Sequence, residues 1–202
     1  MIIIQEVVEA VINIVVFSII PIICWFVTEK KRKSFLFWIG IYKPIIKHKK
    51  IFILCFISFL IFFTLGSLFI DDIIPDTVKL TAQKFKGKGI NALMPAIIFS
   101  FLKTGLPEEL FFRGFLGKRL SKLFGFVIAN IIQAAIFGYL HGAMLLSQFG
   151  FIKAFIVFLF TSLIGWSCGY IDEKLANGSI IPSWILHGIA NMSSSLIDMF
   201  SL

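Results

Sequence analysis

Between Lys49-Lys50 and Asp71-Asp72 the chain carries an uncharged apolar run, Ile51 to Ile70. As a helix, 20 residues rise about 30 Å, the thickness of a bilayer's hydrocarbon core. A backbone inside lipid must satisfy its own N–H and C=O groups, so a spanning segment of this kind is a helix or part of a closed barrel. No alternating pattern accompanies the run, and the helix is the reading that follows. This one segment commits the chain to a membrane.

Five further segments share its character. They run from about Val7 to Val27, Ala92 to about Leu116, Leu123 to Leu146, Phe151 to Ile171 and Ile180 to Phe200. The stretch from Phe35 to Tyr42 is too short to span and suits the interface. The third segment is interrupted by Lys103-Thr104-Gly105-Leu106-Pro107. The expected fold is therefore all-α, a polytopic transmembrane helical bundle with about six membrane-embedded segments. No internal repeat is visible. Residues 1–91 comprise two helices and a polar connector (Asp71 to Asn91, with Lys79, Lys84, Lys86 and Lys88) without a motif, and residues 92–202 form the core that carries the polar groups.

Composition agrees: 58% of residues are hydrophobic, 25 are Phe, and the mean hydropathy is +0.97, against about 45–50% apolar in soluble domains. The net charge of +8 would suggest nucleic acid in a soluble protein. Here the basic residues lie between apolar runs, so the partner they imply is the lipid bilayer and its anionic surface, with no nucleic acid. Cys24, Cys55 and Cys168 are isolated in apolar stretches and read as small hydrophobes. The first basic residue is Lys30 and no small-residue cleavage site follows the first run, so that run is expected to remain as a transmembrane helix. The connectors 28–50, 117–122 and 172–178 together hold 12 Lys and Arg, whereas 71–91 and 147–153 hold 5. The positive-inside rule then places the N-terminus outside and the first set in the cytoplasm. Richness in Ile, Lys and Phe suits an AT-rich microbial genome, hence a prokaryotic cell membrane.

An ionisable residue at the centre of a membrane helix costs roughly 2.5–3.5 kcal/mol on insertion scales, so those present ask for a reason. The deep polar residues are Glu108, Glu109, Arg113, His141, His187 and Asn191, with Gln5, Glu6, Glu9 and Lys103 near segment ends or breaks. Pro107 can start a helix, and the two glutamates after it favour the positive end of the dipole. Glu109 and Arg113 share a face and can pair. Glu108 is left as a candidate unpaired carboxylate, a possible general base. His187 and Asn191 are also four apart, so their donors could converge on an oxyanion. The bland readings are a capped helix with an ion pair, a satisfied buried His141, and interhelical hydrogen bonds from His187 and Asn191. His48 lies in a basic connector and is expected to be solvated. Glycines 114, 138, 142 and 188 would let helices approach closely on either reading.

The pattern Glu108-Glu109-x-x-x-Arg113, then Phe137-x-x-x-His141, then His187-x-x-x-Asn191, on successive membrane helices, resembles the CPBP family. These are the type II CAAX prenyl endopeptidases and their prokaryotic relatives, often labelled abortive-infection or bacteriocin-processing proteins. The resemblance covers roughly residues 92–200. It implies a glutamic intramembrane endopeptidase acting on a peptide or protein substrate. By that analogy Glu108, helped by His141, activates water, His187 and Asn191 stabilise the oxyanion, and Glu109 with Arg113 supports the site. The chain is shorter than eukaryotic members, so a prenylated substrate is not implied. Glu108, His141 and His187 are ligand types that suit zinc, but the His-Glu-x-x-His spacing is absent, and no metal or cofactor is expected.

Two other classes use the same residues. A non-catalytic membrane partner or immunity protein would keep the fold and tolerate loss of Glu108. A small transporter would use the buried charges as a relay, although no repeated half with matching broken helices is present. One geometric difficulty accompanies the protease reading. Counted from a turn at 117–122, Glu108 lies about 20 Å away along one arm and His141 about 27 Å along the other, at unequal depths and far from the Lys118 face.

Overall fold

The computed structural model describes residues 2–73 and 84–200, with the backbone alone for 71–73. Lys79 and the rest of 74–83 in the polar connector lie outside the described residues. The elements are α1 (Ile2–Thr28), α2 (Phe35–Ile39), α3 (Lys49–Ile73), α4 (93–124), α5 (126–149), α6 (151–170) and α7 (Ile181–Phe200). A 3₁₀ turn, Gly89–Ala92, leads into α4, and a π-helical turn, Ile171–Leu175, prolongs α6. Among the described residues there is no strand, and the fold is an all-helical membrane bundle. Ile2–Thr28, Lys49–Ile70 and the long run Gly89–Leu175 are each long and apolar enough to cross a bilayer.

That long run is folded back on itself at two glycines. Gly125 (φ 76°) and Gly150 (φ 75°) leave helical geometry for a conformation that L side chains rarely adopt. Contacts across both turns show antiparallel arms. Phe112 on α4 meets Phe137 on α5 with ring centroids 5.0 Å apart. On the second hairpin, a Cβ at Gly138 would stand 2.0 Å from Ser162 Oγ and 2.5 Å from the Phe158 carbonyl, so α5 and α6 touch where no side chain intervenes.

The first turn differs from the expected one. Residues 117–122 are helical and the chain reverses at Gly125, because Lys118, Arg119 and Lys122 have partners that hold them on the helix: Glu173 and the Gly178 carbonyl, the Trp38 ring and carbonyl, and Glu29. Glu108 now lies 17 residues before the turn and His141 16 residues after it. At about 1.5 Å per residue both sit about 25 Å from the reversal, and the mismatch in depth disappears.

The expected break at 103–107 is also absent, since α4 runs through Pro107 as a continuous helix. It does so by widening. Ile98–Gly105 and Leu110–Gly117 are π-helical, on either side of the α-helical turn Leu106–Glu109. Proline offers no N–H to the carbonyl four residues earlier, here that of Lys103. Asn13 Nδ2 on α1 donates to that carbonyl at 3.0 Å. Trp184 Nε1 donates to the Phe101 carbonyl at 2.7 Å, and Thr104 Oγ1 donates to the Phe99 carbonyl at 2.9 Å. Asn13 on α1 and Trp184 on α7 thus supply donors to carbonyls of the irregular stretch, and Thr104 supplies one from α4 itself.

α1 is tied to this core by charge as well. The buried Glu6 accepts from Lys84 Nζ at 2.6 Å and lies 3.6 Å from Lys103 Nζ, which also pairs with Glu9. At the opposite end, the connectors carrying most of the basic residues meet. Tyr42 Oη donates to the Asn177 carbonyl (2.9 Å), Ser179 Oγ to the Tyr42 carbonyl (2.6 Å), and the Ile180 amide to the Gly40 carbonyl (2.9 Å). Residues 28–50, the end of α4 and 172–180 therefore share one face. α3 packs beside α6 and α7 through Phe59, Ile164, Cys168 and Leu186, while Leu54 and Leu65 on its other side face outward.

Candidate active site

Three helices bring the deep polar residues to one level. α4 supplies Glu108, Glu109 and Arg113, α5 supplies Phe137 and His141, and α7 supplies His187 and Asn191. Close approach of α7 to α4 requires Gly188, where a Cβ would stand 2.2 Å from the Phe101 ring.

His187 lies between the two glutamates. Its Nδ1 is 2.9 Å from Glu109 Oε1 and its Nε2 is 3.7 Å from Glu108 Oε2. A carboxylate oxygen accepts, so Nδ1 carries the hydrogen and Nε2 faces Glu108. Glu109 is completely buried, whereas the Glu108 side chain keeps 21% of its exposure. Arg113 Nη1 stands 3.1 Å from Glu109 Oε1, but the guanidinium N–H bonds are not aligned on it. The contact is an ion pair rather than a hydrogen bond. Two charges taken from water at this depth are tolerable only together.

Phe137 is the platform beneath the group. Its ring lies 4.4 Å from Arg113 Cζ and 4.5 Å from the His141 ring, and it meets His187 edge-on at 6.2 Å. The ring thus carries a cation–π contact and fixes two imidazoles at once. His141 Nδ1 is 2.8 Å from the Phe137 carbonyl. That carbonyl can only accept, so Nδ1 donates and Nε2 of the neutral ring keeps its lone pair. Asn191 Nδ2 donates to Thr104 Oγ1 at 2.8 Å, which occupies one of its two amide hydrogens.

The structure gathers Glu108, Glu109, Arg113 and His187 by direct contact, and joins His141 to them through Phe137. Asn191 is joined to α4 through Thr104. Among the described residues, no three of His, Cys, Asp and Glu are grouped so as to hold a metal ion. Sequence reasoning overlooked Thr104, which lies inside the segment read only as a break. It also overlooked Asp172, a buried residue whose Oδ1 accepts from the Ser183 amide at 3.1 Å and so caps the start of α7. A small cavity is lined by Arg113, Gln133, Asp172, Ser121 and Glu173. Nothing in the spacing of Asp172 marked it, because its partner amide is eleven residues away across a turn.

Comparison with known proteins yields one family. The model of the family described as Type II CAAX prenyl endopeptidase Rce1-like matches residues 90–193, just over half of the chain. No curated protein and no solved structure matches it.

Proposed function

The chain belongs to the Rce1-like type II CAAX prenyl endopeptidase family, and on that premise we propose that it is an intramembrane endopeptidase using Glu108, His141, His187 and Asn191. The observation that carries this reading is the placing of His187, with one nitrogen on a buried, charge-compensated carboxylate and the other toward a partly exposed one. A purely structural histidine would need only the first.

In the proposed reaction Glu108, assisted by His141 Nε2, takes a proton from water as the water oxygen attacks the scissile carbonyl carbon. The carbonyl oxygen becomes negative and receives hydrogen bonds from the free amide hydrogen of Asn191 and from Nε2–H of the His187 imidazolium. Glu109 fixes the His187 ring through Nδ1 and opposes the positive charge on it, as a carboxylate does behind a catalytic imidazole. The tetrahedral carbon then expels the amine, which takes the proton held by Glu108 as the C–N bond breaks. Arg113 keeps Glu109 ionised and in place. The 3.7 Å separation of His187 and Glu108 is typical of a site that tightens once substrate is bound.

The substrate in this proposal is a peptide or protein reaching the site within the membrane of a prokaryotic cell. The test is cleavage of a broad peptide library by the purified protein and by Glu108→Ala, with and without a chelator. Cleavage by the unmodified protein alone, unaffected by chelator, supports the mechanism. Loss of cleavage in chelator would replace it with metal-dependent chemistry. Equal cleavage by both proteins would contradict it, and no cleavage by either favours a non-catalytic membrane partner.

A further inference from the structure

On the face where the basic connectors meet, a groove of about 320 Å³ opens between α2 and the end of α4. Four cations line it, Lys33, Lys118, Arg119 and Lys122, against a single carboxylate, Glu173. That carboxylate is already committed, for Lys118 Nζ lies 2.6 Å from Glu173 Oε1 and donates at 2.6 Å to the Gly178 carbonyl. Lys122 has only a loose neighbour, Glu29 at 3.7 Å, and is well exposed. Among the described residues neither Lys33 nor Arg119 takes part in an ion pair. The groove therefore carries uncompensated positive charge.

Its shape is equally specific. The Arg119 guanidinium lies 3.8 Å from the Trp38 ring, and only Nη2 has a protein partner, the Trp38 carbonyl at 3.4 Å. A stacked, planar guanidinium is held at one angle and suits the oxygens of a phosphate. α2 lies where the sequence predicts an interfacial segment. It turns Trp38 and Ile39 into the protein and leaves Leu36 and Phe37 exposed beside the groove. Thr28, the last residue of the first long apolar helix, is followed after Glu29 by the cluster Lys30-Lys31-Arg32-Lys33, so this face is at the depth of lipid headgroups.

We propose that the groove is a discrete binding site for an anionic phospholipid, its phosphate on Lys33, Arg119 and Lys122 and its acyl chains against Leu36 and Phe37. A free phosphate would share the cations but would make no use of the apolar residues beside them. Because α2 and the end of α4 are joined by Arg119, a bound lipid clamps the interfacial helix to the helix that carries Glu108 and Glu109. This site is independent of any activity of the protein.

The experiment is native mass spectrometry of the purified protein titrated with phosphatidylglycerol or phosphatidylcholine of identical chains. The expected result is one retained phosphatidylglycerol bound at least about fivefold more tightly than phosphatidylcholine, weakened about fivefold for each charge removed in Lys33→Gln/Arg119→Gln. Lys33→Gln/Lys122→Gln, which leaves the Trp38 stack intact, should weaken binding by a similar factor. Lys86→Gln/Lys88→Gln should leave it unchanged. Equal affinity for the two lipids, or equal weakening by the Lys86/Lys88 pair, would overturn the site in favour of diffuse surface charge. Displacement of the lipid by an equal concentration of inorganic phosphate would overturn the lipid as occupant.

Discussion

Nδ1 of His187 lies 2.9 Å from Oε1 of Glu109, a carboxylate with no exposed surface that also stands 3.1 Å from the Arg113 guanidinium. This contact fixes the orientation of the His187 ring, and so which nitrogen is turned toward Glu108. A histidine without such a partner could turn either nitrogen to Glu108. The arrangement joins residues 78 apart in sequence, and several consequences can be measured.

The Glu109–Arg113 pair should dominate local stability. Either Glu109→Ala or Arg113→Ala strands one buried charge, and each is expected to cost about 3–5 kcal/mol. A Glu109→Gln/Arg113→Met double variant removes both charges and should be less damaged than either single variant. Thermal unfolding in one detergent checks this. Melting of both single variants at the unmodified temperature would sink the pairing.

Asn191 should act through one amide hydrogen while the other is held by Thr104. Asn191→Ala is expected to lower kcat by about 10²–10³ with little change in KM, the usual result of removing one oxyanion donor. Thr104→Val should fall in the same direction by a smaller factor, and Thr104→Ser, which keeps the acceptor, should restore it. Steady-state kinetics with any cleaved peptide separates these cases.

His141 contributes a chemical group more than it contributes packing. Its hydrogen bond to the Phe137 carbonyl is worth about 1 kcal/mol. His141→Ala should therefore melt close to the unmodified protein while losing turnover by about 10²–10⁴. A large loss of stability at unchanged turnover would assign His141 to structure alone.

Gly138 should tolerate no side chain. A Cβ there would fall 2.0 Å from Ser162 Oγ, and Gly138→Ala is expected to destabilise the α5–α6 hairpin by about 1–3 kcal/mol. Combining it with Ser162→Gly should recover part of that loss. The measurement is again unfolding in detergent, and additive losses in the double variant would contradict the contact.

The apolar runs made the bundle legible, because a helix of lipid length needs no tertiary information to be identified. Gly150, between Ser147 and Lys153, fell inside an expected connector for the same reason. The first reversal was misplaced by a few residues because Lys118, Arg119 and Lys122 look like a loop. Only their partners Glu173, Trp38 and Glu29, all distant in sequence, show that they belong to a helix. Pro107 was read as a break for an equally local reason. Asn13, which donates to the Lys103 carbonyl that Pro107 frees, lies 90 residues from Lys103. The pairing of Glu109 with Arg113 could be anticipated from an i,i+4 spacing, whereas Thr104 and Asp172 matter only through contacts that no spacing encodes.

The most direct measurement compares Glu108→Gln with the unmodified protein in single-turnover cleavage of a peptide that the latter hydrolyses. Glutamine fills the same volume and can hydrogen-bond, but it cannot take a proton from water. With unfolding temperatures matched, the proposed mechanism predicts cleavage reduced by at least about 10². Cleavage at the unmodified rate would contradict the role of Glu108 as the base.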